Sequence, residues 1–417
     1  MKKVLVIGSG GRCHAICHAL SRCENVNEIF AAPGNLGISS LATCVDIDVC
    51  DVDNLVKFAL SEKIDLTIVG PEASLAKGVV NEFKKNNLMI FGPTKEAAII
   101  ESSKEFAKDL MKNYNIPTAS YEVFRDFDSA YNYVKTHKLP TVIKYDGLAA
   151  GKGVVIANTL EEAHDALKDM LCDNKFGDSS VVIEEFLDGM EFSFMCLCNG
   201  EKAYPLIPSQ DHKRAFDNDL GPNTGGMGAY TQLSFINEED LDYSLNQIII
   251  PTLKALKNEG REFCGVLYGG LIKTASGIKV IEFNARFGDP ETEVVLYSLT
   301  SNICDVICDI INEIEVNLTF TTKPTVGVVL AAKGYPGSYS KGGVITIEDN
   351  DLGYIYHMGT KANQNGDITI NGGRVLMAVA SADTLKDAQT KAYELVDKIH
   401  SDDLFYRHDI ASKSLKG

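Results

Sequence analysis

The feature that most constrains the fold is a regular alternation through the first hundred residues. Short β-branched apolar runs trade places with helix-period segments: Val4 to Ile7, then Ala15 to Leu20, Glu28 to Ala31, and later Leu66 to Val69 before Leu75 to Phe83. Strands that are apolar on both faces need cover on both sides, and strands joined through helices run parallel. The alternation therefore predicts βαβ units and a parallel sheet. Gly8-Ser9-Gly10-Gly11, Ala32-Pro33-Gly34-Asn35 and Gly70-Pro71-Glu72 stand at successive strand ends. Loops at the carboxyl ends of such strands line the ligand crevice of an open α/β sheet. Gly10, Asn35, Gly70, Pro71 and Glu72 are accordingly candidate substrate contacts. A dinucleotide fingerprint would need a third glycine where Cys13 stands, which argues against a nicotinamide cofactor.

The pattern changes after the first module. Ser102-Ser103-Lys104 opens a helical segment through Met111 that Ile116-Pro117 ends, which predicts a boundary near residue 103. Strand-like Thr141 to Lys144, Gly153 to Ala157, Val181 to Phe186 and Phe192 to Cys198 bracket one or two helices, the signature of a small α+β lobe. A last alternation from Thr325 to Ile399 closes with an amphipathic helix between Leu385 and Ile399. The expected modules are 1–103, 104–324 with a lobe at about 119–190, and 325–417.

With 45% hydrophobic and 23% charged residues over 417 positions, the chain can bury cores of this number. Its 57 acids and 40 bases give a net charge of −17, which argues against nucleic acid or an anionic membrane as partner; anionic substrates would need local basic clusters. No apolar stretch approaches the ~18 residues of a membrane span, and Met1-Lys2-Lys3 leads straight into a strand, so a cytoplasmic protein is expected. Eleven cysteines, an odd number without a C-x-x-C pair, predict reduced packing thiols.

Three segments carry chemistry. In Lys144-Tyr145-Asp146-Gly147-Leu148-Ala149-Ala150-Gly151-Lys152-Gly153, small residues let the backbone close over phosphates while Lys144 and Lys152 bring positive charge; Gly147, Gly151 and Gly153 supply the freedom. It is not a P-loop, because glycine follows Lys152 where serine or threonine should stand. The apolar strand Val181 to Ile183 ends in Glu184, Glu185, Phe186 and Leu187, which can offer an adenine ring backbone hydrogen bonds and apolar walls, with Glu191 on a ribose hydroxyl. In Glu282-Phe283-Asn284-Ala285-Arg286, period-two geometry puts two hard oxygen ligands, Glu282 and Asn284, on one face with a guanidinium. Arg286 can hold a carboxylate or an acyl phosphate in a bidentate fork. His212, Lys213 and Arg214 form a candidate basic patch for a sugar phosphate, and Asn223-Thr224-Gly225-Gly226 adds polar donors.

The order of lysine-glycine loop, acidic hinge strand and E-x-N-x-R resembles the ATP-grasp family. The strand-end loops, Ser209-Gln210-Asp211-His212-Lys213-Arg214, Gly221 to Tyr230, Ala331-Ala332-Lys333-Gly334-Tyr335-Pro336-Gly337, Gly372-Gly373-Arg374-Val375 and Phe405-Tyr406-Arg407 are similar to signatures of the phosphoribosylamine–glycine ligase family over nearly the whole chain. The resemblance implies a parallel-sheet N-terminal domain, a central ATP-grasp fold with a lid lobe, and a small C-terminal α/β domain. It implies ATP-dependent joining of glycine to 5-phosphoribosylamine through glycyl phosphate, in de novo purine (IMP) synthesis, with Mg²⁺ or Mn²⁺ on Glu282 and Asn284. Catalysis would rest on Arg286, Lys144 and Lys152, and ATP would also meet Lys104. Substrate contacts would include Asp211, His212, Lys213, Asn223, Thr224, Gly226, Arg286, Asp289 and Lys333, in a monomer. The family usually carries Arg-Glu-His where this chain has Arg12-Cys13-His14, and Glu-Thr-Gln where it has Glu291-Thr292-Glu293. Two other readings stay open: an ATP-grasp carboxylase or formate-using ligase, and a non-catalytic nucleotide sensor.

Overall fold

The structure is a computed structural model that describes residues 1–147, 153–173, 175, 177 and 179–415. Its first sheet is parallel, in the spatial order Thr43–Cys44, Val26–Pro33, Lys2–Gly8, Leu66–Val69, Ile90–Phe91. Val4 through Ile7 are fully buried, as expected of a central strand covered on both faces. Strand Lys2–Gly8 lies between the second and fourth strands in chain order, so the loops after it and after Leu66–Val69 open into one crevice. The helix expected from Leu75 to Phe83 is broken into Glu72–Ala76 and Val79–Lys85. Gly78, at φ 82° in the left-handed region, turns the chain between them.

The small lobe is a four-stranded sheet ordered Tyr121–Phe124, Val181–Glu185, Thr141–Tyr145, Val154–Ala157. Helices Phe127–Thr136 and Leu160–Leu171 cover it. Ala130, Val134, Ile143, Ala163, Leu167 and Ile183 give it a hydrophobic core of its own, which makes it a separate packing unit. Phe192 to Cys198, read in sequence with this lobe, belongs elsewhere. It lies in Gly189–Asn199, which pairs antiparallel with Cys264–Thr274 in a ten-stranded sheet. That sheet runs on through Ser209–Asp211 and Gly228–Thr231 into Thr325–Ala332 and Arg374–Ser381. The C-terminal strands thus extend the central sheet, with helix Leu385–Val396 packed on them through Ala388, Ala392 and Leu395. The eleven cysteines are free thiols. Among the described residues no helix is long and apolar enough to cross a membrane.

Candidate active site

A cleft of about 770 Å³ opens where the small lobe, the edge of the large sheet and the loops of the first sheet meet. At one end Val142, Ile156, Leu187, Ile272 and Phe283 form apolar walls, and Glu185 and Phe186 lie at the rim. This end suits a planar base, since apolar side chains flank a strand terminus with backbone groups to spare.

Beside the apolar end lie the amines. Lys144, near the end of strand Thr141–Tyr145, sends Nζ to the Ile281 carbonyl at 3.0 Å and to Glu184 Oε1 at 2.9 Å. Glu184 also holds Lys108 at 2.8 Å, and all three side chains are almost fully buried. Burial pushes the Lys108 ammonium down to about 8, against the pull of Glu184. Lys104 opens helix Lys104–Asn113 behind its cap Ser103 and donates through Nζ to the Gly147 carbonyl at 2.9 Å. Burial, with Lys144 close by, lowers its pKa, while Glu282 opposes the shift. Gly153 lines the cleft as well. Gly151 and Lys152, expected at the phosphates, lie outside the described residues.

Glu282, Asn284 and Arg286 reach the cleft together from the end of strand Gly277–Asn284. The Glu282 carboxylate has no hydrogen bond or ion pair to a described residue. Asn284 Oδ1 accepts from Arg286 Nη2 at 3.1 Å and retains a second lone pair. A carboxylate without a hydrogen-bond partner among the described residues and an amide oxygen fit a small hard dication that takes its remaining shell from water and phosphate. Among the described residues no group of three or more His, Cys, Asp or Glu side chains could hold a metal ion.

Arg286 is gripped on several sides. Its Nη2 lies 3.0 Å from Glu101 Oε1, its Nε 3.4 Å from Glu72 Oε2, and its Nη1 donates to the Phe287 carbonyl at 3.2 Å. Glu101 in turn accepts from the Ala285 amide at 2.8 Å. Burial raises the Glu101 carboxyl even against the Arg286 charge, whereas Arg286 is held above its ordinary range by the two acids. Asp289 sits between two further guanidiniums, Arg12 at 3.5 Å and Arg374 at 3.0 Å. Across the cleft Asp211 faces Lys213, which also pairs with Glu191 at 2.5 Å. Burial, with Glu291 and Glu191 nearby, pushes the Asp211 carboxyl up to about 6. Tyr268 donates to Glu291 at 2.6 Å, and Ser193 does so at 3.0 Å.

Other expected contacts are placed differently. Of the His212, Lys213 and Arg214 run, Lys213 and Arg214 line the cleft and His212 does not. His212 is fully buried, its Nε2 accepts from the Ala411 amide at 3.0 Å, and burial drives its pKa to about 3, so the ring is neutral. Arg214 is turned to the Gly221 carbonyl. Asn35 spends its amide on the carbonyls of Ser9 and His357 and on the Ile38 amide. Lys333 is exposed and away from the lining, although Tyr335 in the same turn lines the cleft and accepts from the Gly225 amide. Asn223 and Thr224 line the cleft; Gly226, at φ 109°, lies behind it, where a Cβ would strike Pro290. Gly10 stands next to Asp289, the Gly70 carbonyl accepts from Arg12, and Pro71 caps the helix that carries Glu72. The sequence carries no signal that marks Glu101, Lys108 or Tyr268 for the cleft, and Glu291 stands out in it only as part of Glu291-Thr292-Glu293. Glu101 occupies a four-residue helix and carries no local signal, whereas Arg374 lay within a recognisable Gly-Gly-Arg signature.

Comparison with known proteins agrees with this architecture. Family profiles for phosphoribosylglycinamide synthetase match as the N domain over residues 2–101, the ATP-grasp (A) domain over 102–292 and the C domain over 325–413. A phosphoribosylamine–glycine ligase of Halalkalibacterium halodurans is 52% identical over 99% of this chain and 97% of its own. One from Streptococcus pneumoniae is 47% identical over 99% and 100%. The crystal structure of phosphoribosylamine–glycine ligase from Thermotoga maritima superposes with a TM-score of 0.87 at 33% identity, covering 98% of this chain and 100% of that one. A biotin carboxylase domain from Hydrogenobacter thermophilus shares the fold, with a TM-score of 0.73 at 15% identity over 97% of this chain and 91% of that one. The chain belongs to the phosphoribosylamine–glycine ligase family.

Proposed function

We propose that the protein ligates glycine to 5-phosphoribosylamine, converting ATP to ADP and phosphate and yielding glycinamide ribonucleotide for purine synthesis. The observation that carries this reading is one cleft in which an amine cluster, two hard oxygen donors and a guanidinium follow an apolar pocket. Its family membership supplies the substrates.

ATP lies with its base against Val142, Leu187 and Phe283 and its phosphates toward Lys104 and Lys144; Lys152, outside the described residues, is assigned to the phosphates by resemblance to the family alone. Glu282 and Asn284 would hold Mg²⁺, or Mn²⁺, which when bound neutralises phosphate charge. The glycine carboxylate takes a place beside Arg286, exchanging for one of the acids that now face it. Glu72, at 3.4 Å and partly exposed, is the more easily displaced; Glu101 is anchored by a backbone amide. A carboxylate oxygen attacks the γ-phosphorus and ADP leaves, a step in which positioning and charge supply most of the rate. The ribosylamine nitrogen then attacks the acyl carbon, and Arg286 stabilises the tetrahedral oxyanion until phosphate departs. Asp211, beside Glu291, receives the glycine ammonium in this reading. Asn223, Thr224 and the Arg12 and Arg374 pair suit the sugar phosphate. We read the protein as a cytoplasmic monomer, a reading supported by its net charge of −17, which disfavours self-association.

The test is ADP release with ATP, glycine and freshly generated phosphoribosylamine, each omitted in turn. Dependence on all three is expected. Release that needs neither glycine nor the amine, or that needs bicarbonate or formate, contradicts the assignment.

A further inference from the structure

Where the strand bearing Lys144 ends and the glycine-rich segment begins, one carboxylate ties together three pieces of chain. Asp146 Oδ1 accepts from the Lys104 amide at 2.5 Å and the Glu105 amide at 3.2 Å, while Oδ2 accepts from Ser103 Oγ at 3.3 Å and Ser180 Oγ at 3.5 Å. Its own amide donates to the Ser180 carbonyl at 3.0 Å, and its carbonyl accepts from Ser179 Oγ at 2.7 Å. Asp146 and Ser180 belong to the small lobe; Ser103, Lys104 and Glu105 begin helix Lys104–Asn113 outside it. A negative charge on the free amides of a helix N-terminus is favourable on both hydrogen-bonding and dipole grounds. Here the charge comes from another lobe, 42 residues along the chain. The helix already has a cap of its own in Ser103, which accepts from the Phe106 amide. The extra acceptor is therefore not needed to start the helix, and its effect is to fix the root of the glycine-rich segment.

We propose that Asp146 is a positioning residue for the nucleotide: it holds Lys104 and Gly147 at one edge of the cleft, so that the amine cluster is assembled before ATP arrives. Two consequences of the geometry support this. The Lys104 ammonium is bonded to the Gly147 carbonyl, the residue next to Asp146, so losing the Asp146 contacts frees both ends of that link. Lys144 lies two residues before Asp146 on the same strand, and its reach to Ile281 and Glu184 depends on where that strand ends. The inference rests on the proposed ligase reading for its reaction, but not for its binding measurement.

The test uses the full chain with Asp146→Ala and Asp146→Asn, and with Asp126→Ala as a control. Asp126 caps helix Phe127–Thr136 in the same lobe, away from the cleft, by accepting from the Ser129 amide. Affinity for a non-hydrolysable ATP analogue is measured by titration, and the KM for ATP and for glycine and the melting temperature are measured in parallel. Asp146→Ala is expected to weaken the analogue and raise the KM for ATP by about tenfold or more, the scale of a lost charge-assisted hydrogen bond, with the KM for glycine nearly unchanged. Asp146→Asn, which keeps an acceptor, should fall between. Asp126→Ala should lower the melting temperature without changing nucleotide affinity. If Asp146→Ala binds the analogue as tightly as wild type, or raises both KM values equally while melting like the control, the positioning role is refuted. A wild type that binds the analogue yet forms no product would refute the ligase reading instead.

Discussion

Replacing Arg286 with lysine keeps the charge and removes the fork. In the structure the guanidinium serves Glu101 at 3.0 Å, Asn284 at 3.1 Å, the Phe287 carbonyl at 3.2 Å and Glu72 at 3.4 Å through three different nitrogens. A single ammonium on a more flexible stem cannot meet these directions together, and buried Glu101 is its strongest competitor for the charge. Lysine should therefore turn to Glu101 and leave the acyl oxygen without its donor. The expected loss is about 2 to 4 kcal/mol of transition-state stabilisation, the scale of one missing oxyanion donor, or roughly 30-fold to 10³-fold in turnover. The assay is steady-state ADP release at saturating ATP, glycine and phosphoribosylamine, with bound nucleotide measured separately to show that the cleft is intact. Turnover within about threefold of wild type would refute the reasoning, because the threshold lies far below the predicted range.

Asn284→Ala should shift the divalent-metal titration of activity to higher concentration while leaving the KM for glycine little changed; an unchanged metal titration removes Asn284 from the shell. Glu293 is fully buried, neither of its oxygens has a hydrogen-bond partner, and burial, with Asp289 nearby, raises its carboxyl well above the usual range. A raised acid contributes stability below its unfolded pKa and loses it as pH rises, so Glu293→Gln should raise the melting temperature more at pH 8 than at pH 5. An equal or smaller gain at pH 8 would contradict this. His14 is buried against His357 and Tyr354, and burial, with the charges of His357 and His18 adding to it, holds its pKa down to about 3. A depressed histidine binds its proton in the unfolded chain first, so thermal stability should fall between about pH 6.5 and 3. His14→Asn should flatten that fall, and an unaltered slope would exclude His14 as a source.

Much of the framework was legible because its signals are local. Buried parallel strands declare themselves as unbroken apolar runs, and Ser103 marks a helix start through its own hydrogen bond. The alternation that puts Glu282 and Asn284 on one face follows from strand geometry alone. What sequence could not supply depends on distant pairing. Strand Gly189–Asn199 looks like its neighbours in the small lobe, and nothing within it states that it pairs with Cys264–Thr274. The His212, Lys213 and Arg214 run reads as three cations only while burial is unknown, because a fully buried histidine next to Arg407 stays neutral and leaves Lys213 and Arg214 at the cleft. The Arg12, Asp289 and Arg374 cluster draws on three parts of the chain, joined at 3.5 and 3.0 Å. Asp146 stands inside the lysine-glycine segment, but its partners Ser103 and Ser180 are visible only in three dimensions.

The acid is activated as an acyl phosphate, and oxygen transfer from its carboxylate is the test of that step. Glycine labelled with ¹⁸O in both carboxylate oxygens is turned over with ATP and phosphoribosylamine, and the inorganic phosphate is analysed by mass spectrometry. If the carboxylate attacks the γ-phosphorus and the amine then displaces phosphate, one labelled oxygen must leave with each phosphate and one must remain in the amide. Phosphate free of label, formed at the same rate as the amide, would exclude a glycyl phosphate intermediate.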